Sequence, residues 1–317
     1  MGKKVTTVLG PVAPEDMGFT DAHNHLWISS LEGLPKQVPA LDQYDLILEE
    51  LDDFKKNGGS SQIDCQPGGA GRDGNRLRDL SLASGVNIVA CTGFHLDLYY
   101  PEGIQLWQMD AEDAAGYFID EIESGLMETR GKGQPVYPGF IKAAVRESLE
   151  KTPRQLLEAA VEASKMSGFA IEMHTERGAA VEDFLDFLNK MEFELERLII
   201  CHIDKRPDVG LHKELAQAGC ALEYDTFFRP KYLPEKNVWN LIPEMVNAGF
   251  HRSLVLATDL AESELWAKIG GGPGLSGFMD QILKRLETTI NDRSIILDLM
   301  GANIARFLAV NDKELLQ

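Results

Sequence analysis

Cysteine is scarce in this 317-residue chain. Cys65, Cys91, Cys201 and Cys220 are the four present and none forms a CxxC pair, which excludes a disulfide scaffold and fits a reducing, cytoplasmic setting. Positive charge is scarce as well. Lysine and arginine total 31 against 50 acids, and the formal net charge of −19 would repel nucleic-acid phosphates, so no nucleic-acid partner is expected. Long apolar runs are missing: Val86–Ala90 and Ser253–Ala257 fall far short of the roughly 18 residues of a membrane span, and no membrane partner is expected either. The two N-terminal lysines are not followed by the apolar segment of a secretory signal. No GxGxxG follows an early strand pattern, and no low-complexity linker interrupts the chain. What is present is ordinary globular composition, 44% hydrophobic and 26% charged, enough for a substantial core.

At roughly 150 residues per domain the length suggests about two domains, but α/β barrels of 250 residues or more are common, and no composition break divides 1–317. Short β-type runs recur at Gly18–His23, Ser61–Cys65, Val86–Thr92, Gly139–Lys142, Ala170–His174, Leu198–His202, Ala221–Tyr224 and Ser253–Asp259. Between them lie helical patterns such as Arg154–Met166, Val181–Met191 and Trp239–Ala248, with apolar residues near i, i+3, i+4 and i+7. Alternation of strand and helix implies a parallel sheet, and eight strands match a closed (β/α)8 TIM barrel, α/β in class and a single domain. Gly270–Gly274 (GGGPG) reads as a loop over the barrel mouth, because it lacks the GK[ST] ending of a phosphate-binding loop. Gly68–Gly74 (GGAGRDG) reads as an active-site-face loop, the start of a helix, or a plain turn.

Residue types that bind metal fall at the C-terminal ends of these strands, the face on which barrel active sites are built. His23 and His25 form an HxH, so a strand of period two points both imidazoles the same way. His174 closes AIEMH, His202 closes LIICH, and Asp259 closes LVLATD. Core packing does not favour so many buried polar groups at strand ends, each needing a partner. Nitrogen and oxygen donors without cysteine suit zinc first, with manganese, iron, cobalt or nickel as alternatives.

These residues carry a family resemblance. GFTDAHNHL, TGFH, GFIKAA, MHTE, CHID and the C-terminal GANIARFL resemble the phosphotriesterase-like branch of the amidohydrolase superfamily, which includes lactonases, from about Val8 to Val310. The resemblance implies two divalent ions: His23, His25 and Asp259 on one, His174 and His202 on the other. It also implies that Lys142 in GFIKAA is carboxylated by carbon dioxide and bridges them. An ammonium beside two cations would be repelled, whereas a carbamate offers anionic oxygens. The alternative is a free Lys142 amine paired with a neighbouring carboxylate and no second metal. Asp259, at metal and nucleophile together, is the expected acceptor of the water's proton and its donor to the leaving group.

Specificity falls to the loops. Tyr224–Asn237 is basic and aromatic, and Arg229 and Lys231 there suggest an anionic substrate group, or else solubilising charge. Lys205 is expected to reach the same pocket and Arg206 to face outward. The pattern is similar to a subgroup acting on phosphorylated sugar lactones, in which lysines after strands six and seven and an arginine after the strand-eight aspartate hold phosphate. Lys205 and Lys231 match, but the third place is Glu262, whose charge would repel phosphate, so that group would be absent, shifted or replaced. His95 is expected to donate a hydrogen bond to a carbonyl or leaving oxygen. Tyr99, Tyr100 and Trp107 either wall the pocket or pack, His212 and His251 read as structural or exposed, and Cys201 is expected to point away from His202 into packing.

The resulting expectation is a metal-dependent hydrolase, a lactonase opening a polar or anionic sugar lactone by hydroxide attack on the ring carbonyl. Phosphotriester or N-acyl amide hydrolysis on the same centre is the alternative among enzymes, and an inactive ligand-binding barrel the alternative outside them. A small-molecule substrate is the expected partner, and a homodimer through barrel-side helices is compatible with enzymes of this type.

Overall fold

The computed structural model describes residues 2–35 and 38–311. Its barrel strands are β1 (Thr20–Asn24), β2 (Ser61–Asp64), β3 (Asn87–Val89, resuming as Cys91–Gly93), β4 (Phe140–Val145), β5 (Ile171–Thr175), β6 (Leu198–Ile200), β7 (Ala221–Tyr224) and β8 (Leu254–Leu256). All pair in parallel with their sequence neighbours, β1 to the first piece of β3 and the second piece of β3 to β8. The ring closes where the Asp259 N–H donates to the His23 carbonyl at 2.9 Å and Thr258 donates twice to the Asp21 carboxylate. An antiparallel hairpin, Lys3–Thr7 with Gly10–Val12, joins Val310–Asn311 in a separate three-stranded sheet, and its Val5 packs into the interior cluster.

The expected helices form for the expected reason. Arg154–Ser167 buries Leu157, Ala160, Val161 and Ser164, and Val181–Lys190 buries Phe184, Phe187 and Leu188, one apolar face each against the sheet. At the start of Gly74–Ser84, Asp73 accepts from the Asn75 and Arg76 N–H groups, so the GGAGRDG segment is a helix start. Arg72 beside it is buried on Glu121 and Glu128. Among the described residues no helix is long and apolar enough to cross a membrane.

The interior is layered. Ala22, Ile63, Val89, Phe140, Ala170, Ile199, Ala221 and Val255 belong to one buried apolar cluster. Two residues further along, period two turns Lys142, Glu172 and Glu223 into the same axis, each fully buried. His174, Asp225 and Asp259 continue that parity upward to the mouth.

Two expectations are corrected here. Cys201 does not point away from the site: Ile199 is interior, so period two turns Cys201 inward as well, and its sulfur lies 3.8 Å from Lys142 Nζ and 3.5 Å from Glu172 Oε1. His202, beyond the end of β6, reaches the centre because its backbone is left-handed, φ 61°. Gly270–Gly274 does not cover the mouth. Its amides donate back to Glu264, Leu265 and Trp266, and the amides of Lys268 and Leu275 on either side of it bond Glu50 of the helix Tyr44–Lys56.

Candidate functional site

At the C-terminal mouth a cavity of about 180 Å³ is lined by His25, His174, His202 and Asp259, with His23 and Lys142 directly beneath, 1% and 0% exposed. Each histidine is oriented through one ring nitrogen. His23 Nδ1 bonds Glu223 Oε1 at 2.8 Å, His25 Nδ1 bonds Gln66 Oε1 at 2.6 Å, and His202 Nδ1 bonds Asp225 Oδ2 at 2.5 Å. His174 is held through Nε2 by Glu176 at 2.9 Å. The opposite nitrogens therefore converge, each ready to act as a ligand with its tautomer fixed from behind.

Two half-sites result. Asp259 Oδ1 is 3.9 Å from both His23 Nε2 and His25 Nε2, and the three donors lie within 4.8 Å of one another. On the other side His202 Nε2 faces His174 Nδ1 at 3.0 Å, a contact that needs a proton or a cation between the two rings. Asp259, like His202, has a left-handed backbone, φ 47°, a cost carried by two residues of one site.

The electrostatics fit divalent cations. Among the described residues Glu172 Oε2, Glu223 Oε2 and Asp225 Oδ1 are buried without a hydrogen-bond partner, so acceptor capacity beneath the histidines is unmet. Burial lowers the pKa of His25 to about 3, helped by the charge of His23, and burial likewise depresses His202 and His174, leaving all three in the neutral form that binds metal. For His23 burial works in the same direction, but Glu223 and Glu172 outweigh it and raise the pKa to about 10. Burial opposes ionisation of Asp259, yet Arg229 and the histidines hold its carboxyl well below the usual range.

Lys142 is fully buried beneath the histidines. Its Nζ donates to Glu172 Oε1 at 3.0 Å and lies 3.4 Å from His23 Nε2, so it stands at the edge of the ligand set with a carboxylate for its partner. The same position would bring a carbamate on Nζ beside the histidine nitrogens.

All five substrate-side residues read from the sequence line the cavity: His95, Lys205, Arg229, Lys231 and Glu262. Arg229 is not free, however. It donates to Glu262 Oε2 at 2.8 Å and to Asp259 Oδ2 at 3.0 Å, and also to the Asp259 carbonyl. Glu262 is thus paired rather than a bare charge in the pocket. His95 Nδ1 accepts the Leu96 N–H at 2.7 Å, which puts the ring proton on Nε2, and burial keeps the ring neutral. Tyr99 lines the cavity against His95, whereas Tyr100 packs below and accepts the His95 N–H. Arg206 faces out to Glu182, and His212 is structural, bonded to Tyr224 Oη and the Arg206 carbonyl.

Sequence reasoning passed over Glu172, Glu223, Asp225, Gln66, Glu176 and Arg177. Three of them carried a signal: Glu172 precedes His174 by two in an apolar strand, and Glu223 and Asp225 alternate along β7, the parity of inward residues.

The chain is similar to known proteins along most of its length. The model of the Phosphotriesterase family matches residues 3–296. The phospho-furanose lactonase of Mycoplasmopsis synoviae (strain 53) is 26% identical over 330 positions, 98% of this chain and 93% of that one. An N-acetyltaurine hydrolase of Xenopus tropicalis is 24% identical over 326, covering 89% and 91%. In fold, the crystal structure of a lactonase from Listeria monocytogenes superposes with a TM-score of 0.87 at 22% identity, covering 96% of this chain and 98% of that one.

Proposed function

The chain belongs to the phosphotriesterase family of metal-dependent hydrolases, and from that premise we propose that it is a lactonase opening a polar, anionic furanose lactone. One observation carries the choice of substrate: the cavity that holds the histidines and Asp259 is walled on its outer side by Lys205 and Lys231, an unusual concentration of cation in a chain of net charge −19. The phospho-furanose lactonase relative supports the same class.

In this reading His23, His25 and Asp259 would hold one divalent ion and His174 and His202 the other, with zinc the first expectation, and Lys142 as a carbamate would add an anionic donor. Such ions polarise a carbonyl and acidify water. The chain's own residues do the rest. Asp259 has one oxygen toward His23 and His25 and the other fixed by Arg229, so its carboxylate is aimed to take the proton of the attacking water. It then returns that proton to the ring oxygen as the lactone opens. His95 presents Nε2–H to the cavity as a neutral donor to the carbonyl or leaving oxygen. Arg229 keeps Asp259 from swinging and, by pairing with Glu262, removes that charge from the substrate's path.

A second reading has one specific support. An N-acyl sulfonate amide offers the same combination of carbonyl and anion, and the N-acetyltaurine hydrolase relative aligns over most of the chain. A substrate panel on zinc- or manganese-loaded protein separates the two: phosphorylated and plain furanose lactones, N-acetyltaurine and a neutral phosphotriester. Highest kcat/KM on a phosphorylated lactone supports the proposal, and turnover of the amide or the triester alone overturns it.

A further inference from the structure

We propose, resting on the reading of Lys142 as a carbamate, that Glu172 is the residue that positions it: Glu172 Oε1 accepts the hydrogen that the modified nitrogen keeps. Addition of carbon dioxide to an amine leaves one hydrogen on the nitrogen, and in a fully buried site that N–H needs an acceptor. Lys142 is buried completely, and near its Nζ stand Glu172 Oε1 at 3.0 Å, His23 Nε2 at 3.4 Å and Cys201 Sγ at 3.8 Å. An imidazole nitrogen that serves a metal has no lone pair left for an N–H, and a cysteine sulfur is a weak acceptor. Glu172 is what remains.

The strands set Glu172 in that place. Lys142 on β4 and Glu172 on β5 are register partners, and period two turns both side chains into the barrel axis at one level. Around Glu172 Oε1 also stand Cys65 Sγ, which donates at 2.8 Å, His23 Nδ1 at 3.1 Å and Cys201 Sγ at 3.5 Å. These groups reach it from β1 and from the ends of β2 and β6, so one oxygen of a flexible side chain is held from several directions. Among the described residues the second oxygen, Oε2, has no hydrogen-bond partner, and Oε1 alone carries the contacts.

A carbamate, like a peptide unit, is planar through conjugation about its C–N bond. Fixing the direction of its N–H therefore fixes the plane of its two oxygens. That is the service which Glu223 and Asp225 give to His23 and His202, a ligand oriented through the atom that does not face the metal. The competing role for Glu172 is that of a counterion to an unmodified ammonium, and the two roles differ in sign. A counterion favours the form of the amine that cannot take up carbon dioxide, so its removal would raise the carbamate fraction or leave it unchanged. Removal of a positioning acceptor lowers it.

The test is the carbon-13 carbamate resonance of the protein at saturating zinc, integrated as labelled bicarbonate is raised, with circular dichroism as the check on the fold. Glu172→Ala should need about tenfold more bicarbonate than wild type for half of the maximal signal, the loss expected for one hydrogen bond to a charged group. Glu172→Gln, whose amide oxygen still accepts an N–H, should stay within about threefold of wild type. Cys65→Ala frees Oε1 on one side and should shift the curve in the same direction by roughly threefold, whereas Cys65→Ser keeps a donor and should match wild type. Wild-type bicarbonate dependence in Glu172→Ala, or in Cys65→Ala where Glu172→Ala does not fold, overturns the proposal. A Gln variant as impaired as the Ala variant assigns the effect to charge and overturns it too. If wild type itself shows no carbamate resonance, the carbamate reading fails and Glu172 loses this role with it; a resonance that Glu172→Ala keeps in full removes the role of Glu172 and leaves the carbamate reading standing.

Discussion

Arg229 reaches from the loop after β7 to Glu262 beyond β8, 2.8 Å apart, while its other terminal nitrogen is 3.0 Å from Asp259 Oδ2. A guanidinium divided between Asp259, the proposed proton acceptor, and a second acid accounts for a glutamate in a pocket proposed to take an anion. The like-charge repulsion expected from Glu262 is cancelled within the protein.

Arg229→Ala should therefore lower kcat more than it raises KM. It frees Asp259 to rotate and leaves Glu262 uncompensated, and loss of one charge-assisted contact is worth about ten- to a hundredfold. Arg229→Lys should restore little, since one ammonium cannot hold both carboxylates. Steady-state kinetics at saturating metal checks both.

Asp225→Asn should weaken metal binding about ten- to a hundredfold while the fold persists, because the amide no longer fixes His202 through Nδ1 as an anion does. Competition with a chromophoric chelator reads the affinity, and circular dichroism the fold.

Much of this site was legible from strand parity. His174 and Asp259 follow the interior positions Ala170 and Ala257 at even spacing, so their direction can be read along one strand. His202 breaks that rule through its left-handed backbone, so parity counted from His202 misplaces Cys201. The residues that orient the histidines were out of reach for another reason. Glu223 meets His23 across 200 positions of sequence, and such a contact exists only once the barrel closes. The split of Arg229 between Asp259 and Glu262 is likewise a property of two loops meeting, not of either alone.

Lys142→Ala should lose metal to below one ion per chain, while Lys142→Glu retains part of it by restoring an anionic oxygen. In wild type grown with carbon-13 bicarbonate, a carbamate resonance should appear in the metal-loaded protein and be missing from Lys142→Ala. Its absence from loaded wild type would leave Lys142 as the amine paired with Glu172.

A structural ion pair fixes part of the acid sensitivity. Burial raises the pKa of Glu128, but Arg72 outweighs burial and the net shift is downward. The folded state then binds fewer protons than the unfolded one below the ordinary carboxylate range, so this contribution is complete above about pH 4.5 and is lost as pH falls through the depressed folded value. Glu128→Gln should cost about 1–2 kcal/mol at pH 7, with Glu121 still holding Arg72, and the gap to wild type should close in acid. Urea unfolding at several pH values measures it.

The most direct test is acid release from a phosphorylated furanose lactone, followed by pH-stat while metal-stripped protein is titrated with zinc. The rate should rise from near zero and level off at two equivalents per chain. No release at any loading, or a rate indifferent to chelation, would contradict a metal-dependent lactonase.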